Sequence, residues 1–357
     1  MNPIMRRVLP AGVLPGSAEG LMRHFNLRTL ATLVILALLV AAGLSDGHAA
    51  DAPALQLEKK IPLGHVVGRI DHMAVDLSRH HLFVAELGNN SVGIVDLAIP
   101  KVLHRITGLN EPQGVGYVPS SDVLYVANAG DGSVRLFRGA DFEEIGRIEL
   151  GDDADNVRVD TAGRRAFVGY GKGALAVIDT ENNRKLTDIP LDAHPESFRL
   201  ESNGSLIFVN VPGAHAIQVI DRDEGKIRAK WSTGGLGGNF PMTLDEASRQ
   251  AIVVFRNPAT LAAFSIPDGA TVASTPTCDD ADDVFADSKR QRIYVSCGDG
   301  FLDVYEPQAS TYRRIGHIPT ASGARTALYV PELDRLFLAV RARSRQSAEV
   351  WVYRPSP

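Results

Sequence analysis

Residues 71–97, DHMAVDLSRHHLFVAELGNNSVGIVDL, carry the pattern that decides the fold: a polar opener, a short alternating strand, a turn, then two strands rich in Val, Ile, Leu and Phe. The phrase returns six times. It reads PQGVGYVPSSDVLYVANAGDGSVRLFR from Pro112, DNVRVDTAGRRAFVGYGKGALAVID from Asp155 and PESFRLESNGSLIFVNVPGAHAIQVID from Pro195. It then reads NFPMTLDEASRQAIVVFRNPATLAAFSI from Asn239, DDVFADSKRQRIYVSCGDGFLDVYE from Asp282 and RTALYVPELDRLFLAVRARSRQSAEVWVY from Arg325. The residues closing the first strand of each copy are Asp76, Pro119, Asp160, Glu201, Asp245, Asp287 and Pro331, separated by 43, 41, 41, 44, 42 and 44 positions.

Several short strands per copy at that spacing, with no helical period, are the signature of propeller blades. The expected fold is all-β: a seven-bladed β-propeller with four-stranded blades. In the first copy the strands are expected at about 71–76, 82–87, 91–97 and 101–106, with breaks at Ser78-Arg79, Gly88-Asn89-Asn90 and Ile99-Pro100. The last copy runs out after its third strand, 348–353, while an orphan alternating segment, 55–61, precedes the first copy. This N-terminal strand is expected to complete the C-terminal blade and remove two exposed edges.

Ahead of the repeats, Arg23 and Arg28 precede the apolar run Leu30–Gly43, followed by Gly47-His48-Ala49-Ala50-Asp51-Ala52. That order is the layout of a secretory signal. Residues 1–50 are therefore read as an N-terminal extension and signal peptide, with cleavage after Ala49, Ala50 or Ala52, and residues 51–357 as one propeller domain. Met22 is a second candidate start. The apolar run is shorter than the ~20 residues a spanning helix needs, which favours cleavage over an uncleaved anchor. The expected location is periplasmic or secreted, with no membrane span after cleavage.

The formal net charge is −5, so nucleic acid is not an expected partner. The only cysteines, Cys278 and Cys297, are candidates for a disulfide, with a metal–thiolate pair or two free thiols as alternatives.

The strand cores Leu82-Phe83-Val84-Ala85, Leu124-Tyr125-Val126-Ala127-Asn128 and Ile293-Tyr294-Val295-Ser296 resemble those of the YVTN-repeat β-propellers of the YncE-like group, over about residues 55–355. The resemblance implies a seven-bladed extracytoplasmic propeller, in agreement with the count of copies, and a binding or scaffold role. It transfers no catalytic motif.

In a propeller, the starts of the innermost strands surround the mouth of the central channel. The residues expected there are Asp71 and His72, Gln113, Asp155 and Asn156, His194 and Glu196, Asn239, Asp282 and Asp283, and Arg325; Arg256 and Arg341 approach from second-strand ends. Such a funnel can hold a small ligand or a protein partner. It can also hold a divalent cation, with His72, His194, Glu196 and Asp283 as candidate ligands. Carboxylates alone favour Ca²⁺ or Mg²⁺, and recruiting both histidines favours Zn²⁺. The alternative to a turn's own polar residue is always present, because Asp and Asn at strand ends often satisfy local backbone.

No hydrolase elbow or zincin motif occurs, so the main expectation is a monomeric, non-catalytic binding protein. The alternative is a metal-assisted hydrolase, lactonase or lyase using His72 or His194 as base with funnel carboxylates around the ion.

Overall fold

The computed structural model describes residues 53–357, except 267 and 345. The expected extension, signal peptide and cleavage site lie outside the described residues. Seven four-stranded antiparallel sheets form the blades of a β-propeller. In the first blade the strands are Met73–Asp76, His81–Glu86, Ser91–Asp96 and Lys101–Thr107, within two residues of expectation at every boundary.

The second strand of each blade explains the architecture. It is apolar at consecutive positions, as in Leu82, Phe83, Val84 and Ala85, all fully buried. Side chains alternate across a sheet, so a continuous apolar run means that both faces are covered. Leu82 and Val84 join one apolar cluster with residues of the seventh blade, whereas Phe83 and Ala85 join another with Val115, Leu124 and Val126 of the second blade. The same sharing recurs around the ring, and each of the seven clusters bridges two adjacent blades. The outermost strands, such as Lys101–Thr107, are mostly exposed and read as mixed polar sequence.

Closure follows the expected route. The strand Leu55–Gly64 pairs antiparallel with Ala348–Pro355, so the first strand of the chain is the outermost strand of the last blade. Its Leu55 packs into the cluster shared by blades six and seven, and its Ile61 and Leu63 into the one shared by blades seven and one. Glu58 accepts ion pairs from Arg335 and Arg354, and the Lys60 ammonium lies 3.7 Å from the centre of the Trp351 ring.

The aspartates that mark the repeat have a local role. Asp76 Oδ1 accepts hydrogen bonds from the backbone N–H of Ser78 and Arg79, and Asp287 Oδ1 does the same for Lys289 and Arg290. They close the turn after the innermost strand, the role Asx residues play in tight turns. Arg79 then links Asp76 to Asp122 of the next blade, and Arg290 links Asp287 to Asp334.

Cys278 and Cys297 form a disulfide with Cα atoms 5.9 Å apart, closing the loop that leads into the innermost strand of blade six.

Because Ile61 is 1% exposed and bridges the closing blade to the first, Ile61→Ala should lower unfolding stability by about 2–4 kcal/mol in urea titrations. Leu57→Ala, on the same strand but 44% exposed, should change it by less than about 0.5 kcal/mol. Equal effects of the two would show that closure does not depend on this apolar contact.

Candidate functional site

Six of the seven innermost strands begin with a β-bulge or a register break, and most funnel residues sit there. In blade one the N–H of Asp71 donates to the carbonyl of Ala85, and the N–H of Ala85 donates to the carbonyl of His72, so two residues oppose one. Glu196 and Ser197 oppose Asn210 in the same way in blade four. Register shifts fall between Pro112 and Gly114, Ala154 and Val157, Asn239 and Met242, and Ala281 and Asp283. A bulge re-aims the side chain of its extra residue. Gln113, Asp155, Asn156, Glu196 and Asp282 thereby reach one cavity.

That cavity has a volume of ≈ 360 Å³ and takes wall residues from all seven blades. Ten sequence-predicted residues line it: Asp71, His72, Gln113, Asp155, Asn156, His194, Glu196, Arg256, Asp282 and Arg325. Three do not. Asn239 is buried and donates to Asn210 Oδ1 and to the carbonyl of Ala216. Asp283 is buried and accepts from the backbone N–H of Ala327. Arg341 follows the second strand of blade seven and packs over Gly323, which has no Cβ to obstruct it.

The wall also includes Arg69, Asp153, Ser197 and Phe240, which sequence reasoning missed. Two further guanidiniums, Arg158 and Arg199, act electrostatically on the site. They occupy equivalent register positions in blades three and four, opposite Phe167 and Phe208, where the first blade has Ala74. A cation at a position otherwise small or apolar was the available signal.

The charges divide into two sides. On one, Arg69 pairs with Asp71 at 2.7 Å, Arg256 with Asp282 at 2.7 Å, and Arg325 with Asp280 at 2.7 Å and Asp282 at 3.3 Å. The Arg256 guanidinium also lies 3.9 Å from the centre of the Phe240 ring. The disulfide holds the loop that carries Asp280, so it supports this paired wall. On the other side stand Asp153, Asp155 and Glu196, for which the described residues supply no Lys or Arg partner.

Burial dominates the ionisation of this second side. Asp155 is held up to about 6 by burial, with Asp153 and Asp282 adding repulsion against an opposing effect of His194. Glu196 is held up to about 7 by burial and then by Asp155. Asp71 is also raised, by burial first, despite Arg69; the latter is half exposed and therefore screened by water. Asp283, behind the wall, is raised to about 7 by burial and Asp282.

His72 goes the other way, down to about 3, through burial and the nearby Arg158 and Arg199. Its ring is neutral at physiological pH, and at 3.7 Å from Asp155 and 3.8 Å from Asp71 it makes no ion pair or hydrogen bond with either. Asp155 Oδ1 is consequently buried without a hydrogen-bond partner. His194 Nδ1 lies 2.6 Å from the carbonyl oxygen of Gly171, which makes Nδ1 the donor of that hydrogen bond. Arg158 stays charged, although burial and Arg199 lower it to about 9; it donates to Asn156 Oδ1 at 2.8 Å.

Among the described residues, the only three His, Cys, Asp or Glu donors within 4.8 Å of one another are Cys278, Cys297 and Asp299, and both sulfurs there are committed to the disulfide. His72, His194, Glu196 and Asp283 do not form such a group.

No family model matches the chain, and no curated protein matches its sequence. Solved structures do match its fold. A chain of the Kuenenia stuttgartiensis hydrazine synthase structure aligns with a TM-score of 0.69 at 18% identity, covering 77% of this chain and 94% of that one. A chain of a mitotic checkpoint complex structure aligns with a TM-score of 0.70 at 12% identity, covering 97% of this chain and 98% of that one. At these identities the likeness establishes the propeller and nothing about chemistry.

The raised carboxyl of Asp155 has a thermodynamic consequence. In the unfolded chain it ionises near the ordinary carboxylate value of 3.8, whereas the folded protein keeps the proton up to about 6. Its contribution therefore favours folding less as pH rises between those values and is most unfavourable above pH 6. Asp155→Asn should raise stability at pH 8 by about 1–3 kcal/mol and leave it nearly unchanged at pH 4. Melting curves of both proteins at the two pH values check this; a destabilised variant at pH 8 would mean that the carboxylate has a partner.

Proposed function

We propose that this chain is an extracytoplasmic, non-catalytic β-propeller, related to the YVTN-repeat propellers, that binds a small polar molecule in its central funnel. The observation that carries the reading is the convergence of side chains from all seven blades on one cavity, where Asp155 keeps a buried, unpartnered oxygen. Charged groups left without a partner are costly, and Asp155 and Glu196 have no Lys or Arg partner among the described residues. A protein platform is less well supported. The exposed apolar side chains of the outermost strands, Leu57, Leu103, Ile145, Leu186 and Val272, are spread over five different blades.

One observation favours a second, enzymatic reading: Glu196, held near neutral pH, stands on the same wall as His194. A proton acceptor and donor so placed suit acid–base chemistry on a bound substrate.

Export is supported by the signal-like N-terminal layout and by the disulfide, which persists in oxidising compartments. Among the described residues no helix is long and apolar enough to cross a membrane.

Binding should be visible as ligand-induced stabilisation. In a thermal-shift screen of polar metabolites, a ligand at a hundred times its Kd adds about 2.7 kcal/mol, a rise of several degrees. Funnel ligands should lose most of that rise in Gln113→Ala; hits that stabilise the variant equally would place binding elsewhere. For export, N-terminal sequencing of the protein recovered from the periplasm should begin at Ala50, Asp51 or Pro53, and recovery of the uncleaved chain would refute it.

A further inference from the structure

The three guanidiniums on the cavity wall are already engaged. Arg69 is bound to Asp71, Arg256 to Asp282 and the Phe240 ring, and Arg325 to Asp280 and Asp282. An anionic ligand would have to break these pairs. The opposite wall offers the reverse situation. Asp155 is 7% exposed, lines the cavity, and has a buried Oδ1 with no donor. Glu196 lines the same cavity and has no ion-pair partner within 4.0 Å among the described residues. Its neighbour His194 is turned toward the Gly171 carbonyl, and His72 is neutral and beyond hydrogen-bond distance of Asp155.

A divalent metal fits this arrangement poorly. Ions such as Ca²⁺ or Zn²⁺ hold their ligand atoms at about 2.0–2.6 Å, which gathers those atoms within roughly 5 Å of one another. No three such donors of the funnel come together so closely among the described residues. The cavity, at ≈ 360 Å³, is also far larger than one ion requires. Neutral groups beside the acidic wall, Gln113, Asn156 and Ser197, supply hydrogen-bonding partners for the body of an organic molecule.

We propose that the funnel ligand is an organic cation, a primary ammonium or guanidinium compound, whose charged head is received by the Asp155 and Glu196 carboxylates. This rests on the reading of the funnel as a small-ligand site and adds the chemical class. The cation's N–H groups donate to these two carboxylates, which have no Lys or Arg partner among the described residues, and its positive charge relieves the repulsion between them. The body of the molecule extends toward Gln113; the arginines across the cavity are committed to Asp71, Asp280 and Asp282, and the unpaired carboxylates repel anions.

The test uses four-carbon probes matched in length: 1,4-diaminobutane and agmatine as cations, 1,4-butanediol as the neutral member and succinate as the anion, with MgCl₂, CaCl₂ and ZnCl₂ alongside. Binding is read at pH 8 by calorimetry and melting temperature. The cations should bind, with affinity reduced about tenfold or more by Asp155→Asn and by Glu196→Gln, the loss expected for a charge-assisted hydrogen bond. Both variants remove a repelled carboxylate, so their melting curves will show whether they stay folded. Binding of butanediol or succinate alone, lost in Gln113→Ala, overturns the cation and leaves the funnel as a ligand site. Binding of a divalent ion that depends on Asp155 replaces the organic cation with a metal. If no probe binds, the cation proposal fails, and the metabolite screen decides whether the funnel binds anything else.

Discussion

Every blade of this propeller is apolar on both faces, and that constraint governs the rest. A sheet with Leu82 and Val84 on one side and Phe83 and Ala85 on the other has no face to offer to water. It must be covered by a neighbour on each side, and each neighbour carries the same demand. A linear stack would leave two apolar ends, whereas a ring leaves none. The strand Leu55–Gly64 makes the ring possible, because it supplies the edge that blade seven lacks and buries Leu55, Ile61 and Leu63 in the last two seams. Pairing between the first and last strands also covers the edge of Ala348–Pro355, which would otherwise be open to strand addition.

The ring then determines what happens at its centre. Seven innermost strands converge on the axis, where their first residues crowd and the regular ladder breaks into bulges. Most of these irregularities turn a polar side chain toward the funnel, as at Gln113, Asp155, Glu196 and Asp282, whereas blade five presents Phe240. The outcome is a small volume holding several charges with little water to screen them, which explains why burial is the first cause of every shift at Asp71, His72, Asp155 and Glu196. On one side the disulfide-held loop and the arginines neutralise the acids. On the other, no Lys or Arg of the described residues pairs directly with Asp153, Asp155 or Glu196, and His194, Arg158 and Arg256 offset their charge only in part. Holding Asp155 without a partner costs stability, and such costs concentrate where a protein meets a ligand.

The repeat made the architecture legible in the sequence. Copies of a strand phrase at intervals of 41 to 44 residues reveal blade number and strand order, because period-two burial writes itself directly into residue type. The missing fourth strand of the last copy and the orphan segment before the first likewise contain the closure. Most funnel residues could be named in the same way, since a strand opener in a propeller lies near the axis whatever its identity. The failures are instructive. Asn239, Asp283 and Arg341 occupy equivalent stretches of sequence, yet small differences of register turn Asn239 and Asp283 into the wall and take Arg341 to Gly323. Arg69, Asp153 and Phe240 stand a residue or two from the marked positions and reach the cavity regardless.

The amino-acid sequence by itself determined the all-β class, the seven blades, the strand that closes them and the set of polar groups available at the axis. These depend on local alternation and on repetition, which are one-dimensional properties. Which carboxylates are paired, which ring is neutral, and that Asp155 alone among the funnel acids retains a buried unpartnered oxygen were decided only in the tertiary structure. Those properties depend on distances between residues far apart in the chain and on the water excluded between them, and neither distance nor dielectric is written in the order of the residues.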